Sequence, residues 1–477
     1  MKNKLLLTKL SMTIGLLLAG TSVFADSTRF ADFTPLATSA GPTVDEAQPI
    51  TFGNPKFIQE SIADRNTQLA DGYANSGNWD MLTLNETGRD KGRFLLTVFE
   101  TESSGVQRTD VKTGVTETIW QSPGVNPALN SHIAFDASYW TPWGTFITAE
   151  ESWDPNPSPQ QQTFGRLFEF KNSTTAPGVN VGDSNDGADF VHQNVIPRLS
   201  HEGIQFDKAG NMYFIDELNG GCLYKYTSAA NMRDVKRGKA DYFAAGTTYV
   251  LRVGDGNTPN ATGAYKWVAI TDATGAALLG AVTITDGNGV TSVDATTTTD
   301  TLIFKGTDYQ RPEDLQIQTL NKKEYMYVAT TTTNEVYRLD LSNNKISVFA
   351  NGNTIDLATG AKVNNLTSVP AVLNFRSPDN LAVDHQGNIY IVEDRGGAND
   401  DDIWFAKDRN KDGDLLDAGE GLGRWASNGT PGSEFSGLYF DPRNHDRAWV
   451  NIQHPTSGND RTIEIKIARS HDDDDAE

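Results

Sequence analysis

Cysteine is nearly absent: Cys222 is the single one in 477 residues, which excludes an internal disulfide and any multi-cysteine zinc or iron–sulfur site. Basic residues are also few. With 40 Lys and Arg against 62 Asp and Glu the net charge is −22, the wrong sign for gripping a phosphate backbone, so nucleic acid is not an expected partner. After the first 25 residues there is no apolar run long enough to span a membrane, so the mature chain is expected to lack a transmembrane segment. No Gly-Lys phosphate loop or dinucleotide fingerprint occurs, and the histidines form no pair at helical metal-binding spacing. What is present is 37% hydrophobic residues, enough for a sizeable core, together with 43 Gly and 19 Pro. With many Thr, Asn and Asp, this composition points to a turn-rich β protein.

Residues 1–25 read as a signal peptide. Lys2 and Lys4 give a basic start, Leu5 to Gly20 is largely apolar, and Val23-Phe24-Ala25 has the small residues a signal peptidase reads. Cleavage after Ala25 removes Lys2, Lys4 and Lys9 and takes the charge from −22 to −25. The expected location is periplasmic or extracellular. No Arg-Arg pair precedes the apolar stretch, so export of an unfolded chain that meets its ligands outside is expected.

A phrase of three short strands recurs along the chain. Glu202 to Asp207, Asn211 to Asp216 and Gly221 to Tyr226 form one copy. Asp379 to Asp384 and Glu313 to Gln318 open two more, and weaker copies begin at Asp80, Ser131 and Ser436. The spacing predicts an all-β fold, a six-bladed β-propeller over residues 78–470. It would carry insertions at 154–199 and 271–301, an N-terminal strap over 26–77 and an acidic tail over 471–477.

In a propeller the start of each first strand faces one channel mouth. Five residues before the Asp, Asn or Gln that closes each first strand stand Asp80, Ser131, Glu202, Glu313, Asp379 and Ser436, with Glu434 two before the last. A ring of carboxylates is repulsive unless cations or protons neutralise it, and calcium suits many oxygens in irregular geometry. Further acids end second strands: Glu100, Glu150, Glu151, Asp216, Glu217, Glu393 and Asp394. Each alone suits a turn cap or salt bridge; their recurrence points to a buried multi-carboxylate metal site. Arg311, in Arg311-Pro312-Glu313-Asp314, aims a guanidinium and a carboxylate at the same mouth, as a phosphate or carboxylate clamp or as an intrablade ion pair.

Asp408, Asn410, Asp412 and Asp414, with Gly413 at the turn, reproduce the front of an EF-hand calcium loop. Its twelfth position is Gly419, flanked by Asp417 and Glu420, so closure is irregular and a structural calcium is expected. Cys222 reads as a buried inert thiol. His201 and His454 reach the mouth as acid, base or ligand, or serve packing.

Trp143 to Glu151, Ser200-His-Glu-Gly203, Arg311-Pro-Glu-Asp314, Ser377-Pro-Asp-Asn380 and Val450 to Pro455 together resemble the PhoX-type alkaline phosphatase family, from about Phe94 to His454. The resemblance implies a six-bladed propeller that hydrolyses small-molecule phosphate esters at a mouth cluster of iron and calcium. It implies Glu100, Glu150, Glu202, Glu313 and an aspartate among Asp379 and Asp394 as metal ligands, and Arg311 as the phosphate contact. With Arg311, Glu313 and His201 make up the expected catalytic set. The family's iron-binding cysteine falls at Ala149, which has no ligand atom, and the family's twin-arginine signal is missing. Both departures count against iron and leave calcium as the expected cofactor. Two other functions fit the residues. One is a metal-dependent lactonase or phosphotriesterase-like hydrolase with its base among Asp379, Glu202 and His201. The other is a non-catalytic calcium-binding propeller of the cell surface or matrix.

Overall fold

The computed structural model describes residues 28–43, 45–122, 133–152, 164–286, 289–368, 370–396 and 401–468. Residues 1–25, Ser131, the start of the first predicted insertion and the acidic tail lie outside them. Among the described residues the regular secondary structure is almost entirely strand, with three helices of six residues or fewer, Arg65–Ala70, Met232–Val235 and Ala295–Asp300. Asp64, Asn231 and Asp294 cap them by accepting backbone N–H bonds.

The strands form antiparallel meanders. Trp79–Leu84, Phe94–Phe99, Gly105–Asp110 and Thr116–Gln121 pair in chain order, as do Phe135–Trp140, Phe146–Glu150, Leu167–Phe170 and Phe190–His192. The last two of these strands fall inside the stretch 154–199 expected to be an insertion. Its Pro, Asn and Gln content hides a Leu-Phe-Glu-Phe run that the sheet needs, so this part of the expectation is corrected. A nine-stranded sheet runs from His201–Phe206 to Pro312–Leu320. The two halves are joined in the ladder by Gly263 opposite Ile346 and Ala264 opposite Lys345. Pro378–Val383, Ile389–Glu393, Asp402–Lys407 and Gly421–Asn428 make another meander, and Glu434–Phe440, Arg447–Gln453 and Arg461–Ile467 the last.

The N-terminal segment completes both final sheets. Ile50–Phe52 pairs with Gly421–Asn428, and Phe57–Asp64 with Arg461–Ile467, so the two ends of the chain are joined by ladder hydrogen bonds. Covering outer edges in this way leaves less unpaired backbone exposed.

The first strands touch in a closed circuit. Trp79–Leu84 lies against Phe135–Trp140, and contact continues through His201–Phe206, Pro312–Leu320, Pro378–Val383 and Glu434–Phe440 back to Trp79–Leu84. This is a propeller-like, all-β arrangement whose apolar layers lie between sheets. Trp79, Trp404, Trp425 and Trp449 are among the largest fully buried side chains. The segment 271–301 forms a small hairpin and the helix Ala295–Asp300. Buried Arg198 holds it, its backbone N–H bonding the Val293 carbonyl at 2.8 Å and its guanidinium the Asp286 carboxylate at 2.8 Å.

Candidate metal centre

Every inner strand carries a β-bulge near its start. Pairing is regular at Trp79, Phe135, His201, Pro312, Pro378 and Ser436, then slips before Leu82, Ser138, Ile204, Leu315, Leu381 and Tyr439. A bulge re-aims the side chains it contains. Its first residue is Asp80, Asp136, Glu202, Glu313 or Asp379 in five strands and Gly437 in the sixth. The ring of acids expected from the sequence therefore exists, but two of its members differ. The second strand contributes Asp136, while Ser131 lies outside the described residues. In the last strand Ser436 stands beside Gly437, and its hydroxyl donates to Asp80.

In four of the six inner strands the residue before the strand is strained as well. Asn78, Ala134, Arg311 and Ser377 have φ of 46°, 47°, 50° and 48°, the left-handed region that costs a non-glycine residue about 1 kcal/mol or more. Their carbonyls accept N–H bonds of 2.7–3.0 Å from Glu100, Glu151, Thr331 and Asp394, and Ser200 accepts one from Glu217 at 2.9 Å. These bonds fix a second tier of acids beside the first.

Alternation along the second strands separates the acidic doublets. In Glu150-Glu151, Asp216-Glu217 and Glu393-Asp394 the first residue bonds within its own surroundings. Glu150 forms a buried bidentate pair with Arg166, at 2.9 Å from Nε and 2.7 Å from Nη2. Asp216 accepts from Thr296 at 2.6 Å, and Glu393 pairs with Arg395 at 2.9 Å. The second residue of each doublet joins the acids of the bulges. The structure thus brings Glu100, Glu202, Glu313, Asp379 and Asp394 together and leaves Glu150 outside. Asp136 and Glu151 take part, although neither was in the expected ligand set. The signal that would have found Asp136 is a ring-bearing residue followed by an acid, as in Trp79-Asp80, Phe135-Asp136, His201-Glu202, Pro312-Glu313 and Pro378-Asp379.

Oxygens of Asp136, Glu151 and Glu202 lie within 4.8 Å of one another, as do oxygens of Glu202, Glu313 and Asp379, so Glu202 belongs to both groups. Burial, then mutual repulsion, pushes Asp80, Asp136, Glu151, Glu202, Glu313 and Asp379 well above the usual carboxylate range. Burial and the neighbouring Glu434 raise Asp394 to about 7. The Oδ1 of Asp136 and the Oε2 of Glu434 are buried without a hydrogen-bond donor. Acceptors without donors, crowded into one pocket, are what a hard divalent cation satisfies, so these residues fit such ions.

Arg311 is the cation at the edge of the cluster. Its Nε donates to Glu217 Oε1 at 2.7 Å, and Nη2 lies 2.5 Å from that oxygen and 3.2 Å from Glu313 Oε1. Its side chain is still 41% exposed, so it faces both the acids and solvent. His454 Nε2 is 2.5 Å from Glu434 Oε1 and Nδ1 is 3.1 Å from the Gly432 carbonyl. Burial opposes its charge, but the Glu434 carboxylate outweighs this and lifts it to about 9. His201 lies elsewhere. Its fully buried ring packs against Phe214, and burial lowers it to about 3. It is neutral, and no carboxylate of the cluster acts on it. Ala149 is fully buried in an apolar layer that contains Ala137, Ile147 and Leu167. Cys222 is buried 3.9 Å from Asp308, and burial pushes its thiol up.

Far along the chain, the acidic loop folds back on itself. Oxygens of Asp408, Asp412 and Glu420 come within 4.8 Å. Glu420, one residue after the regular closing position, accepts from the backbone N–H of Arg409 at 2.8 Å and Asn410 at 3.2 Å. Asn410 bonds Asp412 at 3.0 Å and Asp417 at 2.6 Å, while Asp414 caps the Leu416 N–H at 3.0 Å.

A model of the family described as alkaline phosphatase PhoX matches residues 137–456, well over half of the chain. The chain belongs to the PhoX alkaline phosphatase family. Its members are metal-dependent phosphatases, in keeping with the acidic clusters described above. No curated protein matches the chain in a sequence search. Solved structures similar to it include a putative phosphatase from Bacteroides thetaiotaomicron, 12% identical at TM-score 0.43 over 87% of this chain and 79% of that one. Another is a catalytically inactive virginiamycin B lyase from Staphylococcus aureus, 11% identical at TM-score 0.41 over 86% and 99%. A luciferin-regenerating enzyme is 11% identical at TM-score 0.40 over 86% and 95%.

Proposed function

We propose that the protein is an exported, calcium-dependent phosphomonoesterase. Its phosphate ester would bind between Arg311 and cations held by Asp136, Glu151, Glu202, Glu313 and Asp379. The observation that carries this is Arg311 itself, the half-exposed guanidinium bonded to two members of an otherwise buried acidic cluster. Glu217 and Glu313 engage Nε and Nη2 and hold the guanidinium in place, which leaves its Nη1 edge to donate to phosphoryl oxygens. Divalent cations supply Lewis-acid stabilisation of phosphoryl charge and activation of water. The residues of the chain place the ester, with Arg311 offsetting charge on the transferring group and Glu202 tying the two ligand groups together. The net reaction consumes water, breaks the ester P–O bond and releases inorganic phosphate and an alcohol.

In this reading the nine-stranded sheet counts as two blades joined at their outer edges, so the propeller has six. Residues 1–25 act as the export signal, and Asp408, Asp412 and Glu420 hold a separate structural calcium. His201 has no part in the chemistry. Neither does Glu150, whose charge Arg166 already balances.

The test is para-nitrophenyl phosphate turnover across a calcium titration, with metal analysis of the purified protein. Turnover that rises with bound calcium is expected. Its absence under every metal condition would overturn the phosphatase reading in favour of a non-catalytic calcium-binding propeller.

A further inference from the structure

The inner strands line a cavity of about 270 Å³. It is lined by Thr83, Tyr139, Gln205 and Gln316, which stand four residues beyond Trp79, Phe135, His201 and Pro312 in their strands. The carboxylates of the bulges stand one residue beyond the same positions. At about 3.3 Å per residue the two sites are therefore roughly 10 Å apart along the strands.

The lining has an unusual charge balance: no Lys, Arg or His, but two carboxylates, Asp314 and Glu86. Asp314 is already satisfied, since its oxygens accept from the backbone N–H groups of Leu315 at 2.6 Å and Leu381 at 2.9 Å. Glu86 is an exposed residue at the rim. It accepts the Tyr439 hydroxyl, and Tyr139 feels its charge. Here one carboxylate sits beside two tyrosine rings that line the same cavity.

These features select one class of ligand. An anion finds no counter-charge. A metal ion finds no third ligand, because among the described residues no group of three ligating side chains forms at this end. A purely apolar molecule would desolvate Glu86 and the two glutamine amides without replacing their hydrogen bonds. An organic ammonium ion needs only a carboxylate and aromatic faces. The volume, at about 30 Å³ per displaced water, admits about nine water-sized groups. We infer that this cavity binds a small organic ammonium ion between Glu86, Tyr139 and Tyr439. The site is distinct from the acidic mouth, and the inference does not depend on the phosphatase reading.

Calorimetric titration of the full, calcium-loaded protein with choline and with its uncharged isostere 3,3-dimethylbutan-1-ol tests this. Choline is expected to bind saturably and about tenfold or more tightly than the isostere, with no competition from calcium. Glu86→Gln should bring choline down to the affinity of the isostere at an unchanged melting temperature, since Glu86 is exposed. Gln205→Trp should abolish binding by filling the cavity. Equal affinity for the two compounds, no saturable binding, displacement by calcium, or binding untouched by both substitutions would each overturn the inference.

Discussion

Replacing Arg311 by Ala separates a catalytic guanidinium from a structural one. The structural contribution is bounded by geometry: the side chain is 41% exposed and paired with Glu217 at 2.5 Å. Ion pairs open to solvent contribute about 0–1 kcal/mol, so in calcium the melting temperature should fall by no more than about 2 °C. The catalytic contribution is larger, because a preorganised donor aimed at developing charge typically supplies about 3–4 kcal/mol. At 1.36 kcal/mol per decade this is a loss of about a hundred- to a thousandfold in kcat/KM. Arg311→Lys, which keeps charge but not the fork, should recover only part of the loss. The assay is para-nitrophenyl phosphate turnover at saturating calcium, with metal content and melting measured on the same samples. Activity within about threefold of wild type would refute the clamp. Full recovery of Arg311→Ala at higher calcium would show instead that Arg311 serves metal affinity.

Glu202→Gln removes the one carboxylate shared by both ligand groups, so it should lower calcium stoichiometry and turnover together, whereas Glu150→Gln should leave bound calcium unchanged; metal analysis of both variants decides. Without metal, the buried carboxylates hold protons more tightly in the folded chain than in the unfolded one, so their stabilisation is complete below pH about 4 and is lost as pH rises through their raised values. His454, raised to about 9, acts in the same direction. His192 and His201, lowered to about 3, are neutral in both states above about pH 6.5 and drop out there. Chelated protein should therefore melt lower at pH 9 than at pH 7, by about 1.4 kcal/mol per pH unit for each proton retained. Calcium should flatten the slope, and a melting temperature that rises over that interval without metal would contradict the cluster. Asp412→Ala should lower the melting temperature at limiting calcium and leave turnover at saturating calcium largely intact, since its group of oxygens shares no residue with the groups around Glu202; lost turnover at full calcium would tie the loop to the catalytic centre.

Much of this protein follows from local pattern. Short alternating strands separated by turns, repeated along the chain, determine an all-β propeller-like fold, because each meander must bury its faces against another. The Glu313, Glu202 and Asp379 positions follow from the same repeats, and so does the oxygen-rich loop from Asp408 to Glu420. Tertiary structure decided the rest. A one-residue shift sends a strand side chain to the opposite face, so only the bulges reveal that Asp136 stands where Ser131 was expected and that Gly437 leaves one position empty of charge. The same alternation sends Glu150 to Arg166 and Glu151 to the acidic cluster, a choice that two adjacent identical residues cannot encode by themselves. His201 looked available beside Glu202 for the converse reason. Neighbours in sequence lie on opposite sides of a strand, and the buried side is where an imidazole loses its proton and its reach.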